Sequence, residues 1–151
     1  MNTVLSGTVK SATLLLIGLS ALCSRTVHAE GPVTARSAEI RFMSRVPSEG
    51  GQVICSLFRE SGWLKTPVAI MKSTIRSRGS TCVFTGVEPG TYAIVAFHDK
   101  NGNGNIDKNF LGIPTESWCT SRNAAALFGP PRFSAAKFLA RGGVIRLSGW
   151  M

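Results

Sequence analysis

The apolar residues of this chain recur at every second position from Ser37 onward, and turn-forming residues interrupt them about every 8 to 12 residues. A spacing of two places alternate side chains on one face of a β-strand, whereas an amphipathic helix needs apolar residues three and four positions apart. No stretch beyond Ser37 sustains the helical spacing. Short strands at such regular intervals are typical of two packed antiparallel sheets. The pattern therefore predicts an all-β fold, a single antiparallel β-sandwich of about seven strands.

Seven segments carry this alternation, and two stretches between them are predicted to be loops. The predicted strands are Ile40–Phe42 and its neighbours, 52–58, 68–75, 81–87, 91–98, 132–139 and 143–148. The segment 60–67 is predicted to lay Trp63 and Leu64 across the end of the sheet. Residues 99–131 are rich in Asn, Gly and Pro, and a connection of that length in a compact domain is typical of a functional loop.

The first 29 residues show the features of a secretory signal peptide in their usual order. Lys10 supplies the basic start, an apolar run follows over 12–22, and Val27-His28-Ala29 ends in a small-residue cleavage motif. The apolar run is too short to span a bilayer. The predicted organisation is a signal peptide over 1–29, a short extension over 30–36, and one sandwich domain over 37–151, exported to the periplasm or secreted.

The charge of the chain is strongly basic, with 17 Lys and Arg against 8 Asp and Glu and a net charge of +9. Removal of residues 1–29 leaves 15 bases against the same 8 acids, or +7. An exported basic domain is attracted to anionic lipids and polysaccharides, so we expect an anionic envelope surface or another exported protein as partner. Nucleic acid is excluded by the compartment, and no later apolar run is long enough for a membrane span.

Four cysteines bear on the compartment and on stability. Cys23 lies within the predicted signal peptide, where lipid attachment is the alternative, although the bulky Leu22 stands where a lipoprotein motif has a small residue. Cys55 and Cys82 occupy inward positions of two predicted strands. Because export permits disulfides, we predict a bridge between these two, with two buried thiols as the alternative. Cys119 is then left unpaired.

The loop that begins at residue 99 carries most of a calcium-binding pattern. Oxygen-bearing residues occupy positions 1, 3, 5, 7 and 9 of that pattern, with glycine at position 6. These candidate metal ligands are Asp99, Asn101, Asn103, Asn105 through its carbonyl, and Asp107. Position 12 is Phe110 instead of glutamate, so Glu116 is the nearest candidate for the missing carboxylate. The alternative is that the Asn and Asp side chains cap their own backbone in successive Asx-turns without metal.

Two resemblances follow from particular segments. The segment 87–97, with Pro89-Gly90 ahead of Thr91-Tyr92, resembles the strand entry of transthyretin-like and carboxypeptidase-regulatory-like sandwiches. That resemblance implies that Tyr92 anchors the corner between two strands. The blocks 92–107, 109–116 and 128–133 are similar to the DUF2141 family of exported bacterial proteins.

The resemblance to DUF2141 covers about Ile40 to Leu147, nearly all of the predicted mature chain. It implies a small transthyretin-like or immunoglobulin-like β-sandwich behind a signal peptide. It implies no substrate and no reaction, and the biochemical role of the family is uncharacterised.

Residues for nucleophilic catalysis are sparse in the predicted domain. His98 is its single histidine, and no nucleophile is paired with it by a recognisable spacing. We therefore predict a non-catalytic binding or structural module with no catalytic residue and no cofactor other than calcium. The alternative is a small exported hydrolase or redox enzyme that uses His98, Cys119 and the loop carboxylates. A zinc site from the three cysteines and His98 is a further alternative, without the short ligand spacing of known zinc sites.

Overall fold

A computed structural model describes residues 36–125 and 129–151 of the chain. These ranges contain eight strands: β1 Ala38–Arg45, β2 Gln52–Phe58, β3 Ala69–Thr74, β4 Gly79–Val87, β5 Gly90–Asp99, β6 Trp118–Thr120, β7 Phe138–Ala140 and β8 Gly143–Trp150. One short helix, α1, spans Phe133–Ala136, and 3₁₀ turns span Glu60–Gly62 and Ser121–Asn123. The predicted signal peptide over 1–29 lies outside the described residues. Within the described ranges, no helix is long and apolar enough to cross a bilayer.

The strands form two sheets, which confirms the all-β prediction. One sheet has the order β4-β1-β8, and the other has the order β3-β2-β5-β6, with β7 also paired to β5. The pairing is antiparallel except between β1 and β8, which run parallel from Ala38↔Gly143 to Arg45↔Trp150. The prediction of a wholly antiparallel sandwich is wrong at this pair. β7 ends against the start of β5, so the chain enters β8 at the end of the sandwich where β1 also begins.

The core lies between the inward faces of the two sheets. Alternate residues of β1 and β4 are buried against alternate residues of β2 and β5, as the spacing of two requires. The predicted disulfide between Cys55 of β2 and Cys82 of β4 is confirmed, and it links one sheet to the other. Closing a loop of 27 residues stabilises the fold by about 3 to 4 kcal/mol in the chain-entropy picture.

The segment 132–139, predicted as one strand, is a helical turn followed by a three-residue strand. Phe133 and Ala136, one turn apart in α1, pack together against Ala93 on the outer face of β5. Trp63 joins this cluster with its ring edge-on to Phe133, and its indole N–H donates to the carbonyl of Pro131 at 3.0 Å. Side chains three positions apart therefore share a face here, which a strand does not allow.

Two loop predictions also need correction. Leu64, predicted to cover the sheet together with Trp63, is 41% exposed. The predicted loop over 99–131 is interrupted by β6 and a 3₁₀ turn. A three-residue strand is too short to show a periodicity in sequence, so the pattern could not reveal it.

Tyr92 anchors the corner between β4 and β5, as its resemblance implied. Its hydroxyl donates to the carbonyl of Glu88 at 3.0 Å and accepts a bond from the Arg59 guanidinium at 2.8 Å. Arg59 also lies 5.0 Å from the centre of the tyrosine ring. The corner is thereby fixed from two sides, which sets the direction of β5 toward the loop that follows it.

Candidate functional site

The candidate site is the loop that joins β5 to β6, residues 100–117, hereafter the β5–β6 loop. It leaves the five-stranded sheet after Asp99 and returns to it at Trp118. The backbone N–H of His98 donates to the carbonyl of Ser117 at 2.9 Å, so the two stems of the loop are hydrogen-bonded where it begins. The loop therefore rises from a fixed base.

Asp99 organises the first half of the loop from a buried position. Its carboxylate accepts hydrogen bonds from the backbone of Asn103 at 3.1 Å and of Gly104 at 2.9 Å, and from the side chain of Gln52 at 2.8 Å. Burial disfavours the charged form, but the hydrogen bonds from Gln52 and from the loop backbone outweigh burial and lower the pKa of Asp99 from its ordinary value. The loop backbone is thus wrapped around a carboxylate held in its charged form.

Glu116 ties the two ends of the same loop together. Its carboxylate is buried and accepts the backbone N–H of Lys100 at 2.9 Å and that of Asp107 at 3.1 Å. The backbone N–H of Thr115 donates to the carbonyl of Asp107 at 2.8 Å. Glu116 therefore acts on the backbone of the loop, and both of its oxygens have donors.

The asparagines among the predicted ligands cap their own backbone in this structure, which is the arrangement expected of a loop without metal. Asn101 accepts the N–H of Asn103 at 3.0 Å, and Asn103 accepts the N–H of Asn105 at 2.7 Å, which are successive Asx-turns. The side-chain amides of Asn101 and Asn103 both donate to the carboxylate of Asp107, at 2.7 and 2.9 Å. Gly102 lies in the left-handed region that such turns need.

The fit of this loop to calcium is partial. In the described part of the chain, no group of three or more His, Cys, Asp or Glu side chains is placed to hold a metal ion. The side chains of Asn101, Asn103 and Asp107 do meet, so three of the predicted ligands are brought together. Glu116 is directed instead to two backbone N–H groups, and the Asn105 amide donates to the carbonyl of Asn103. Calcium binding stays a prediction.

The second half of the loop ends in an exposed apolar tip, defined here as Phe110, Leu111 and Ile113. These side chains are 95%, 66% and 55% exposed. Asn109 holds the backbone beneath them, because its side-chain oxygen accepts the N–H groups of Leu111 and Ile113, both at 3.0 Å. Sequence reasoning considered Phe110 only as the missing twelfth residue of a calcium pattern. The signal that could have found the tip is the apolar run Phe110-Leu111, followed by Ile113, within a loop rich in Asn and Gly.

His98 is buried directly before Asp99 and holds a neighbouring turn. Its Nε2 lies 2.8 Å from the carbonyl oxygen of Gly50 and must be the donor, since a carbonyl only accepts. Gly51 contacts the backbone of Asp99 so closely that a side chain at this position would collide with it. His98 therefore fixes the β1–β2 turn against the base of the loop through Nε2, and its Nδ1 is buried without a protein partner among the described residues.

Cys119 lies in β6 and faces the core. Its thiol is buried, and burial raises the pKa of Cys119 to about 12. A nucleophilic cysteine needs the opposite shift, because the thiolate is the reactive form. Cys55 and Cys82 are joined to each other, so the zinc set of three cysteines and His98 is not available.

A family model described as "Uncharacterized protein conserved in bacteria (DUF2141)" matches residues 43–147. The chain belongs to the DUF2141 family. The match spans both sheets and the whole β5–β6 loop, so the loop is part of the DUF2141 domain. No curated protein and no solved structure matches the chain significantly.

The lowered pKa of Asp99 predicts how stability depends on pH. A carboxyl group whose pKa is lower in the folded state stabilises that state above its ordinary pKa of 3.8, and the contribution is lost as the pH falls through the folded value. Asp99→Asn should therefore lower the free energy of unfolding by about 1 to 3 kcal/mol at pH 7. Urea denaturation measures this free energy, and the difference between Asp99→Asn and the unsubstituted protein should become smaller below about pH 4.

The matched control is Glu49→Gln, which removes an exposed carboxylate from the β1–β2 turn. This variant should unfold like the unsubstituted protein at both pH values. An Asp99→Asn difference that is equally large at pH 7 and pH 3 would show that the charge of Asp99 does not stabilise the loop.

Proposed function

We propose that this protein is a non-catalytic binding module of the cell envelope, which attaches to an anionic lipid surface through the apolar tip of the β5–β6 loop. The observation that carries the proposal is three exposed apolar side chains on a loop held by its own hydrogen bonds. An exposed apolar cluster on a well-ordered support is typical of a surface that contacts a membrane or a partner.

The tip has the size that reversible membrane attachment needs. Full burial of Phe110, Leu111 or Ile113 would each contribute about 1.5 to 3 kcal/mol, and partial insertion among headgroups contributes less. Because Asn109 already orders the backbone below the tip, little conformational entropy is lost when the tip inserts. The expected attachment is weak and reversible.

Cations surround the loop and give the surface its lipid preference. Lys100 and Lys108 are exposed on the loop, and the amine of Lys72 on β3 lies close to Gly104. The carboxylates of Asp99 and Glu116 are buried and bonded to backbone, so they are withdrawn from the surface. A lysine near an anionic membrane contributes about 1 kcal/mol of attraction.

The strand register places further residues that suit a membrane surface at the end of the sandwich from which the β5–β6 loop leaves. Gln52 pairs with both Asp99 and Thr74, and Arg45 pairs with Trp150, so these strand ends lie together around the β1–β2 turn. Trp150 is 63% exposed, with the guanidinium of Arg45 at 5.5 Å from its ring. Tryptophan favours the interface between water and lipid. This region is hereafter the Asp99 end.

The non-catalytic part of the proposal is supported by the two residues that an enzyme would most need. Cys119 is a buried thiol whose pKa is raised to about 12. His98 is buried, and its Nε2 is engaged by the carbonyl of Gly50. Neither residue is accessible as a nucleophile or as a base to a substrate at the loop.

Cosedimentation with vesicles tests the attachment. The purified protein should bind vesicles that contain phosphatidylglycerol and bind pure phosphatidylcholine vesicles much more weakly. The triple variant Phe110→Ser, Leu111→Ser, Ile113→Ser should lower the affinity about tenfold or more, because the inserted apolar area is lost. Raised salt should weaken binding of the unsubstituted protein as well.

Val144→Ser is the matched control, because Val144 is 47% exposed on β8 at the opposite end of that strand from Trp150. It should bind vesicles normally. Full vesicle binding by the triple tip variant would contradict the proposal. An equal loss of vesicle binding in both variants, or no vesicle binding by the unsubstituted protein, would also contradict it. Attachment to another exported protein would then be the better interpretation.

We propose in addition that the first half of the loop binds calcium weakly. The side chains of Asn101, Asn103 and Asp107 already meet at one place, and Asp99 holds the backbone that carries them. A calcium ion would replace the side-chain amides of Asn101 and Asn103 as the partner of the Asp107 carboxylate. The side-chain oxygens of the two asparagines would then turn toward the ion. Because Asp99 and Asp107 are the two acidic residues of the calcium pattern, the affinity should be of the order of 10⁻⁴ to 10⁻³ M, as in extracellular modules.

Calorimetry with calcium on the purified protein checks this second proposal. A binding heat and a raised melting temperature are expected at millimolar calcium, and both should disappear in Asp107→Asn. Magnesium is the control ion, since it fits such flexible oxygen sites poorly. No heat and no rise in melting temperature at several times the expected dissociation constant would reject calcium and leave the loop self-capped.

A further inference from the structure

The outer face of the three-stranded sheet is an exposed basic surface, hereafter the basic face, formed by the outward side chains of β4, β1 and β8. On β1, the outward positions alternate with core positions and include Arg41, Met43 and Arg45, which are all exposed. The parallel register pairs Arg41 with Arg146 and Arg45 with Trp150, so these side chains of β8 share the same face. Arg146 and Trp150 are exposed as well. The basic face is therefore open to solvent along both strands.

The charge of the basic face is positive and is only partly compensated. Glu39 is the one acidic residue at the outward positions of these three strands, and it forms an ion pair with Arg41. Arg45 and Arg146 take part in no ion pair within the described part of the chain. Two guanidinium groups of the face can therefore bind an anion without first breaking an ion pair.

Arg41 and Arg146 are direct neighbours on adjacent strands. Their Cα positions are paired in register, and neighbouring strands lie about 4.8 Å apart, so the two side chains rise from the sheet side by side. Like charges placed in this way destabilise a sheet, and Glu39 can neutralise only one of them. A carboxylate lying across β1 and β8 would accept hydrogen bonds from both guanidinium groups and remove the repulsion. The pair therefore favours a bound anion.

A row of uncharged side chains crosses the face beside the arginine pair. Thr81 of β4, Met43 of β1 and Ser148 of β8 are register partners, and all three are exposed. This row lies one step along the strands from Arg41 and Arg146, about 6.6 Å at 3.3 Å per residue. Two hydroxyls and a flat apolar side chain thus stand next to two positive charges, which suits a molecule that carries hydroxyls, C–H surfaces and carboxylates together.

The shape of the face favours a linear polymer over a lipid surface. β1 and β8 each have eight residues, which is about 26 Å of strand at 3.3 Å per residue and long enough for several sugar rings. Side chains that rise from a sheet form a broad, flat surface, whereas insertion among lipids needs a projecting apolar group such as the apolar tip.

We propose that the basic face binds an acidic polysaccharide, a chain of sugars that carry carboxylates. The guanidinium groups of Arg41 and Arg146 bind the carboxylates, and the hydroxyls of Thr81 and Ser148 bind the sugar hydroxyls. This inference goes beyond the proposed function, because it assigns a second surface and a different class of partner. The three tip residues lie on the β5–β6 loop and not on this sheet, so the two surfaces can be tested separately.

Calorimetric titration of the purified protein with polygalacturonate tests the proposal, with dextran as the neutral polysaccharide. The protein should bind polygalacturonate and not dextran. The double variant Arg41→Gln, Arg146→Gln should lower the affinity for polygalacturonate about tenfold or more, because two charged donors are lost. This variant keeps Arg45 and Trp150, which also belong to the Asp99 end, so its affinity for phosphatidylglycerol vesicles should fall much less.

The matched control is the double variant Lys65→Gln, Lys137→Gln, which removes the same charge from two exposed lysines outside the three-stranded sheet. It should bind polygalacturonate nearly as well as the unsubstituted protein. No binding of polygalacturonate at millimolar concentration of its sugar units, or equal weakening by the two double variants, would overturn the proposal. A larger loss of vesicle binding than of polygalacturonate binding in the arginine variant would also overturn it and assign the face to lipid.

The triple tip variant separates this inference from the proposed function. It should bind polygalacturonate normally while its vesicle binding is lost. Failure of vesicle attachment in the unsubstituted protein would therefore leave the polysaccharide result intact, and failure of polygalacturonate binding would leave the vesicle result intact.

Discussion

The buried carboxylate of Asp99 is the constraint on which the order of the β5–β6 loop depends. It lies at the last position of β5, where a regular strand gives way to a loop, and it accepts the backbone N–H groups of Asn103 and Gly104. Glu116 does the same for Lys100 and Asp107 from the other stem. Two carboxylates thus supply the hydrogen bonds that a sheet would otherwise provide. A loop with few apolar contacts can be ordered in this way without a core of its own.

An ordered loop explains why three apolar side chains can stand in water at its tip. On a flexible segment, Phe110 and its neighbours could turn back onto the protein, whereas Asn109 holds the backbone under them. The same end of the sandwich carries the exposed cations Lys100 and Lys108 and the exposed ring of Trp150. The disulfide between Cys55 and Cys82 keeps the two sheets together, so features carried by both sheets stay in a fixed relation. The proposed attachment uses this end as one surface.

The sequence predicts those parts of the structure that depend on local spacing. Alternation and turns give the all-β class and place Cys55 and Cys82 on facing strands, and the Pro-Gly entry indicates the role of Tyr92. The direction of β8 is not encoded locally, because it depends on which end of the sandwich the preceding segment reaches. The helical turn at Phe133 is too short to display a period.

Amide hydrogen exchange, followed residue by residue by NMR, tests the central claim that buried carboxylates order the loop. The N–H groups of Lys100, Asn103, Gly104 and Asp107 should exchange far more slowly than those of an unstructured chain. In Glu116→Gln, protection should fall at Lys100 and Asp107 and persist at Asn103 and Gly104, which Asp99 holds. Exchange of all four at the unprotected rate in the unsubstituted protein would contradict the account.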